Sequence, residues 1–113
     1  MLSLSLDNAR LSSDTPGIAF TAPAIIGKPS TPTPVGVFAL KRGYSTKLGM
    51  RILIVKRADD GIVAIHPNLQ SRERQIKSPS PDDNRMSGGC IGVDEATFEK
   101  LWAARQEMVL QVY

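Results

Sequence analysis

Cysteine and histidine are almost absent from this chain: each occurs once in 113 residues, as Cys90 and His66. A single cysteine excludes an internal disulfide, and together the two residues are too few for a zinc site made of Cys and His. No apolar run approaches the roughly 20 residues that a membrane-spanning helix needs, so we expect no membrane span. Repeats and low-complexity segments are also lacking.

Aromatic residues make up only 5% of the chain, and the net charge is only +3. The basic residues occur singly or in pairs, as in Lys41–Arg42 and Lys56–Arg57, and no aromatic platform lies between them. Nucleic-acid binding usually needs a basic stripe or patch, so we expect no nucleic-acid partner. Attraction to an anionic polymer such as a cell wall stays open.

The first six residues lack the basic lead-in of a signal peptide and alternate leucine with serine, as a half-buried strand does. Three routes stay open: the protein stays inside the cell, an export segment has been removed, or export needs no cleavable signal. The length of 113 residues predicts one domain over residues 1–113.

The pattern along the chain predicts mostly strands with one helix near the end. The predicted strands are 2–6, 10–12, 18–26, 35–40, 50–55, 62–65 and 108–113, with a hairpin turn at 58–61. We expect polar or proline-rich connections at 28–34, 41–49 and 67–81. A helix is predicted over 94–106, with Asp94 as its cap and an apolar face of Phe98, Leu101 and Trp102.

The surroundings of the single cysteine and histidine suit a thiol enzyme. Cys90 follows Ser87, Gly88 and Gly89, whose N–H groups could face a developing oxyanion, while Ser87 could hold the turn by hydrogen bonding. His66 ends an apolar strand, where an imidazole could take the thiol proton. The alternative is that Cys90 is a small buried residue and His66 a satisfied histidine without a catalytic role.

Three segments resemble one known family in the same order along nearly the whole chain. Residues 30–38, STPTPVGVF, are similar to the Thr-Pro-x-Gly-x-Phe signature of L,D-transpeptidases (the YkuD family), and residues 87–91, SGGCI, to that family's Ser/Thr-His-Gly-Cys motif. His66 lies upstream of the cysteine on a strand, and a helix follows the motif, as in the family. Residues 78–87 resemble the longer loop of some members.

The resemblance implies a mainly β fold, a YkuD-like β-sandwich with one helix after the cysteine, and peptidoglycan stem peptides as substrate. Cys90 would be the nucleophile, His66 the base, and the backbone N–H groups around Gly88, Gly89 and Cys90 the oxyanion donors, with Ser87 in the same motif. An amine acceptor would give a 3→3 cross-link, and water an L,D-carboxypeptidase product. Neither a metal nor an organic cofactor is required. The expected location is the bacterial envelope, the periplasm or the exterior, and the expected state is a monomer.

Two positions depart from the family pattern. Gly88 replaces the usual histidine, so only His66 can serve as base, and Gly92 replaces a residue that is commonly Arg or Asn. We expect Arg85 or Asn84 to compensate by binding substrate, although a solvated loop arginine is an equal alternative for Arg85. These departures also leave two other functions open: a secreted antibacterial effector with the same fold, and a non-catalytic peptidoglycan-binding module.

Overall fold

The computed structural model describes residues 2–17, 19–58, 61–67, 84–104 and 108–113. Within them the chain forms eleven strands and one helix. In chain order these are β1 (Leu2–Ser5), β2 (Arg10–Ser13), β3 (Phe20–Pro23), β4 (Ile26–Gly27), β5 (Gly36–Ala39), β6 (Lys41–Ser45), β7 (Met50–Ala58), β8 (Gly61–Pro67), β9 (Arg85–Ser87), β10 (Ile91–Val93), α1 (Glu95–Ala103) and β11 (Val109–Val112). The predicted fold class, mainly β with one helix after Cys90, is confirmed.

The first sheet has five strands in the order β3-β2-β1-β11-β5. Strands β1 and β2 pair antiparallel, and the last strand, β11, lies parallel to β1 in the middle of the sheet. Leu2 and Leu4 point into the core, at 2% and 0% exposure, while Ser3 between them is partly exposed. The alternation of leucine and serine therefore predicted which face of β1 is buried.

The second sheet has four strands in the order β10-β8-β7-β6. Strands β7 and β8 pair antiparallel with Ala58 opposite Gly61, which confirms the predicted hairpin, although Asp59 and Asp60 lie outside the described residues. The polar connection predicted at 41–49 is wrong in its first half, because Lys41–Ser45 forms β6. This strand lies at the sheet edge and is mostly exposed, so its sequence lacks the apolar alternation of a half-buried strand.

The predicted strand over 18–26 is divided between two sheets. Strand β3 belongs to the five-stranded sheet, whereas β4 pairs in parallel with β9 in a separate two-stranded sheet. Just before β4, Ile25 forms an isolated bridge with Gly92 of β10. The residues that precede the proline-rich connection at 28–34 are thus held beside the segment that carries Cys90.

Besides a small cluster of Ile52, Ile54 and Ala64, the main apolar core combines side chains of the two larger sheets and the helix. Its largest fully buried side chains come from the sheets and the helix: Phe98, Leu4, Leu11, Ile26, Ile65, Ile91, Leu101, Leu110, Val93 and Val112. Asp94 caps the helix as predicted, accepting the N–H of Thr97 at 2.6 Å. The helix ends at Ala103, before the predicted end at 106, and residues 105–107 lie outside the described part. None of the described helices is long and apolar enough to cross a bilayer.

Candidate active site

Cys90 and His66 are brought together by two neighbouring parallel strands. The register of β10 against β8 places Gly92 opposite His66 and Ile91 opposite Ile65, so Cys90 lies just before the first pair of this ladder. Residues two apart on a strand share a face, and Cys90 is two residues from Gly92. The His66 and Cys90 side chains are close enough to shift each other's pKa, the Cys90 thiol lies 3.5 Å from the carbonyl oxygen of Ile62, and both side chains are partly buried. The predicted pair is therefore assembled in the fold.

The imidazole of His66 is oriented by the main chain. Its Nδ1 lies 2.8 Å from the carbonyl oxygen of Pro67, which can only accept a hydrogen bond, so Nδ1 carries the hydrogen. This leaves Nε2 to face the thiol. Since Pro67 has no polar side chain, the sequence predicts that a backbone carbonyl orients the ring, and this prediction is confirmed.

The hydrogen bond between the two side chains shifts both pKa values toward a charged pair. His66 lowers the pKa of the Cys90 thiol by donating to Sγ; burial opposes this, and the N–H of Ala64 and the imidazolium charge assist it. Burial alone would lower the pKa of His66. The hydrogen bonds with Cys90 and the Pro67 carbonyl, together with the thiolate charge, outweigh burial and raise the pKa. The nucleophilic form of a cysteine is the thiolate, and a lowered pKa makes the thiolate available at lower pH.

Ser87 holds the turn that leads into Cys90. Its Oγ donates to the carbonyl oxygen of Cys90 at 2.6 Å and accepts the N–H of Gly89 at 3.1 Å. The hydrogen-bonding role foreseen for Ser87 is thus confirmed. Gly89 has φ of +118°, a conformation that a residue with a side chain would adopt only with strain. Because Ser87 already binds the N–H of Gly89, that group is occupied, whereas the N–H groups of Gly88 and Cys90 have no acceptor among the described residues.

Thr31 and Thr33, which lie in the segment that resembles the family signature, bind this turn from the proline-rich connection. Thr33, only 2% exposed, donates from Oγ1 to the carbonyl oxygen of Gly89 at 2.9 Å and accepts the N–H of Gly27 at 3.0 Å. Thr31 donates to the carbonyl oxygen of Ser87, also at 2.9 Å. The sequence predicted only a proline-rich connection at 28–34, because nothing local in it reveals a contact 56 residues away.

Arg85 and Asn84, the residues expected to bind substrate, have other surroundings. The Arg85 guanidinium donates to the carbonyl oxygens of Leu6 and Asp7, at 3.2 and 2.9 Å, in the turn after β1. Asn84 is 3% exposed, and its Oδ1 accepts no hydrogen bond within the described part of the chain. Substrate binding by these two residues stays a prediction, and the contacts of Arg85 tie β9 to the turn after β1.

Cys90 lines a groove of about 520 Å³. Its walls combine apolar side chains and hydroxyl groups from β6, the following turn and the β7–β8 hairpin: Tyr44, Ser45, Thr46, Lys47, Leu48, Ile52, Gly61 and Ile62. The long connection expected at 67–81 lies outside the described residues except for Pro67. Among the described residues no group of three His, Cys, Asp or Glu side chains could hold a metal ion. The site offers a thiol, an imidazole and backbone N–H groups beside an open groove.

Comparison with known proteins identifies the family and the fold of the chain. Residues 5–108 match the family model of the L,D-transpeptidase catalytic domain, YkuD. No curated protein sequence matches the chain significantly. Among solved structures, the Ldtfm–avibactam carbamoyl enzyme superposes with a TM-score of 0.71 at 20% identity, over 99% of this chain and 47% of that one.

Two further structures have the same fold. The catalytic domain of the E. faecium L,D-transpeptidase gives a TM-score of 0.67 at 20% identity, over 99% of this chain and 95% of that domain. L,D-transpeptidase 3 from Mycobacterium tuberculosis with a faropenem-derived adduct gives 0.62 at 18% identity, over 98% and 58%. The chain thus spans about half the length of the first and third of these structures, and nearly all of the isolated domain.

Proposed function

Because the chain belongs to the family of L,D-transpeptidase catalytic domains, we propose that it transfers peptidoglycan stem peptides through an acyl group carried on Cys90. The observation that carries the proposal is the proximity of Cys90 and His66 on neighbouring strands, where each shifts the other's pKa toward a thiolate–imidazolium pair and Cys90 lines an open groove. The lowered pKa of Cys90 favours the thiolate, and His66 then holds the proton that the leaving group needs. A module that only binds the wall has no use for such a pair.

The proposed reaction uses only groups of the chain and the substrate. The Cys90 thiolate attacks the carbonyl carbon between the third, diamino-acid residue of a tetrapeptide stem and the D-residue that follows. A C–S bond forms while the carbonyl π pair moves to oxygen. When the oxyanion collapses, the C=O bond re-forms, the C–N bond breaks, and the His66 imidazolium protonates the departing amine. The product is a thioester on Cys90.

A second nucleophile completes the turnover. An amine of another stem attacks the thioester carbonyl, passes a proton to His66 and expels the Cys90 thiolate, which gives a 3→3 cross-link. If water attacks instead, the product is a shortened stem and the enzyme is an L,D-carboxypeptidase. No metal or organic cofactor takes part in either route. Peptidoglycan as substrate places the reaction in the bacterial envelope or outside the cell.

The two departures from the family motif bear on the mechanism. With glycine at position 88, no second imidazole exists, so His66 serves both as base and as acid. Gly92 lies opposite His66 in the parallel ladder and carries no side chain that could bind substrate. Selection of the stem therefore depends on the groove, where Tyr44 and Lys47 offer a hydroxyl and a cation.

Covalent labelling tests the proposal directly. We would incubate the protein with a carbapenem, and separately with a tetrapeptide muropeptide, and measure intact mass. We expect one added carbapenem, located on Cys90 by peptide mapping, and muropeptide products that lack the fourth residue. Cys90→Ala should give neither, while remaining folded. If no adduct forms, and Cys90→Ala binds stem peptide as well as the unaltered protein, the chain is a binding module instead.

A further inference from the structure

The Thr-Pro-Thr connection and the cysteine turn touch at two successive anchor points. Thr33 Oγ1 donates to the carbonyl oxygen of Gly89, and Thr31 Oγ1 donates to that of Ser87. The N–H of Lys28 reinforces the second contact by donating to the same Ser87 oxygen at 3.0 Å. The carbonyl oxygens of Ser87 and Gly89 therefore both point toward the connection at 28–34.

Because of peptide geometry, these contacts also determine which N–H groups lie on the opposite side of the turn. In a planar trans peptide the carbonyl oxygen and the N–H of the next residue point in opposite directions. With the Gly89 oxygen held against Thr33, the N–H of Cys90 must point away from the connection. The same reasoning directs the N–H of Gly88 away from Thr31. These are the two N–H groups of the turn that have no acceptor among the described residues.

The N–H of Gly89, which lies between those of Gly88 and Cys90 in the chain, is not one of these free donors. The N–H of Gly89 donates to Ser87 Oγ within the turn, so it is not available to a substrate. The positive φ of Gly89 lets successive peptide planes alternate in this way. Three hydroxyl groups, of Ser87, Thr31 and Thr33, therefore determine which backbone donors stay free.

We infer that Thr33, assisted by Thr31, is a positioning residue for the oxyanion. It fixes the Gly89–Cys90 peptide so that the N–H of Cys90, with that of Gly88, faces the carbonyl oxygen of the bound substrate. This inference rests on the proposed acyl transfer, because only that reaction develops negative charge on an oxygen beside Cys90. Thr33 itself does not touch the substrate.

Burial explains why a threonine hydroxyl is needed at this point. Thr33 is enclosed and bridges two backbone groups, the N–H of Gly27 and the oxygen of Gly89. Valine has nearly the same shape but neither donates nor accepts, so Thr33→Val frees the Gly89–Cys90 peptide to rotate. Serine keeps the hydroxyl, and Thr33→Ser should therefore preserve the function. Thr21→Val, at an exposed position on β3, is a matched control for the substitution itself.

Two reactions of the same sulfur separate this role from a general loss of structure. Acylation of Cys90 by a carbapenem passes through an oxyanion, whereas alkylation by iodoacetamide does not. Removing one oxyanion donor outright costs about 10²–10³ in rate in a well-studied hydrolase. A misdirected donor should cost less, and we expect Thr33→Val to slow acylation by about 10- to 100-fold. Alkylation should change by less than about twofold, since the His66–Cys90 pair is unaltered.

The outcomes are distinct. A selective loss of acylation in Thr33→Val, restored by Thr33→Ser and absent in Thr21→Val, supports the inference. Equal loss in both reactions, or loss in neither, overturns it. If Thr33→Val does not fold, Thr31→Val is measured in the same way, because it removes one of the two donors that orient the Ser87–Gly88 peptide; an unchanged ratio of acylation to alkylation overturns the inference. If the unaltered protein is alkylated but never acylated, the proposed function itself fails.

Discussion

The ring Nδ1 of His66 lies 2.8 Å from the carbonyl oxygen of the next residue, Pro67, and this single contact fixes which nitrogen faces Cys90. A carbonyl accepts only, so the tautomer with hydrogen on Nδ1 is selected and Nε2 is left for the thiol proton. Because the partner is a main-chain atom, the orientation does not depend on the side chain at position 67. A proline can therefore follow the histidine without disturbing the pair.

Replacing His66 should move the pH dependence of Cys90 alkylation upward. The pKa of Cys90 is lowered first of all by the hydrogen bond from His66, against burial, which raises it. In His66→Gln the imidazolium is lost and burial remains, so the thiolate should form only at higher pH. Rates of iodoacetamide labelling between pH 5 and pH 10 measure this midpoint. Pro67→Ala, which keeps the carbonyl, should leave the midpoint unchanged; the same midpoint in His66→Gln would show that the histidine does not set the thiol pKa.

Replacing Cys90 should lower the pKa of His66. Burial lowers this pKa, and it is raised above its ordinary value only because the hydrogen bonds with Cys90 and Pro67 and the thiolate charge outweigh burial. Cys90→Ala removes two of the raising contributions and retains burial and the Pro67 contact. Since the chain has a single histidine, an NMR titration of its ring protons follows one resonance without assignment. A pKa that stays raised in Cys90→Ala would contradict the pairing.

Gly27→Ala should destabilise the fold strongly. A Cβ at position 27 would collide with the oxygen of Thr31 and lie 2.6 Å from the nitrogen of Thr33, and both are backbone atoms that cannot turn aside. We expect a loss of about 3 kcal/mol or more in the free energy of unfolding, at the upper end of overpacking effects. Urea denaturation measures it. Gly88→Ala is the control, because a Cβ there meets nothing within 4 Å; similar losses in both variants would refute the close approach at Gly27.

The alternation of apolar and polar residues predicted strands that have one buried face, but it did not predict β6, which is mostly exposed. Leu2 and Leu4 alternate with serines because β1 has one face in the core, whereas β6 at the sheet edge has no such constraint. The pairing of His66 with Cys90 was predictable because each is the only residue of its kind. Its geometry was not, since it depends on the parallel register of β8 and β10.

Local sequence patterns do not predict contacts between segments that are distant in the chain. Thr31 and Thr33 lie 56 residues from their partners in the cysteine turn, and Arg85 lies 78 residues or more from its own. Threonine beside proline is equally typical of an exposed loop, and arginine before an active-site motif is equally typical of substrate binding. For the threonines, the role becomes visible only in the folded chain, where β4 lies beside β9.

Removing the helix cap should weaken the fold without affecting the cysteine. Asp94 accepts the N–H of Thr97 at 2.6 Å at the start of α1, which otherwise has an unpaired first turn. We expect Asp94→Ala to cost about 1 kcal/mol of unfolding free energy and Asp94→Asn much less, since asparagine also caps helices. Thermal and urea unfolding measure the difference. Equal losses in the two variants would indicate a role for the carboxylate charge rather than for the cap.

Substitution of Arg85 tests whether this residue has a structural role or the substrate-binding role expected from the sequence. Its guanidinium donates to the carbonyl oxygens of Leu6 and Asp7, so it joins β9 to the turn after β1. We expect Arg85→Ala to lower the unfolding free energy by about 1–2 kcal/mol, because charged hydrogen bonds to two carbonyls are lost from a half-buried position. Arg85→Lys should lose less. The KM for a tetrapeptide stem should stay the same in both, because the guanidinium is already engaged by the main chain. A KM that rises several-fold in Arg85→Ala, with unfolding unaltered, would restore Arg85 to substrate binding.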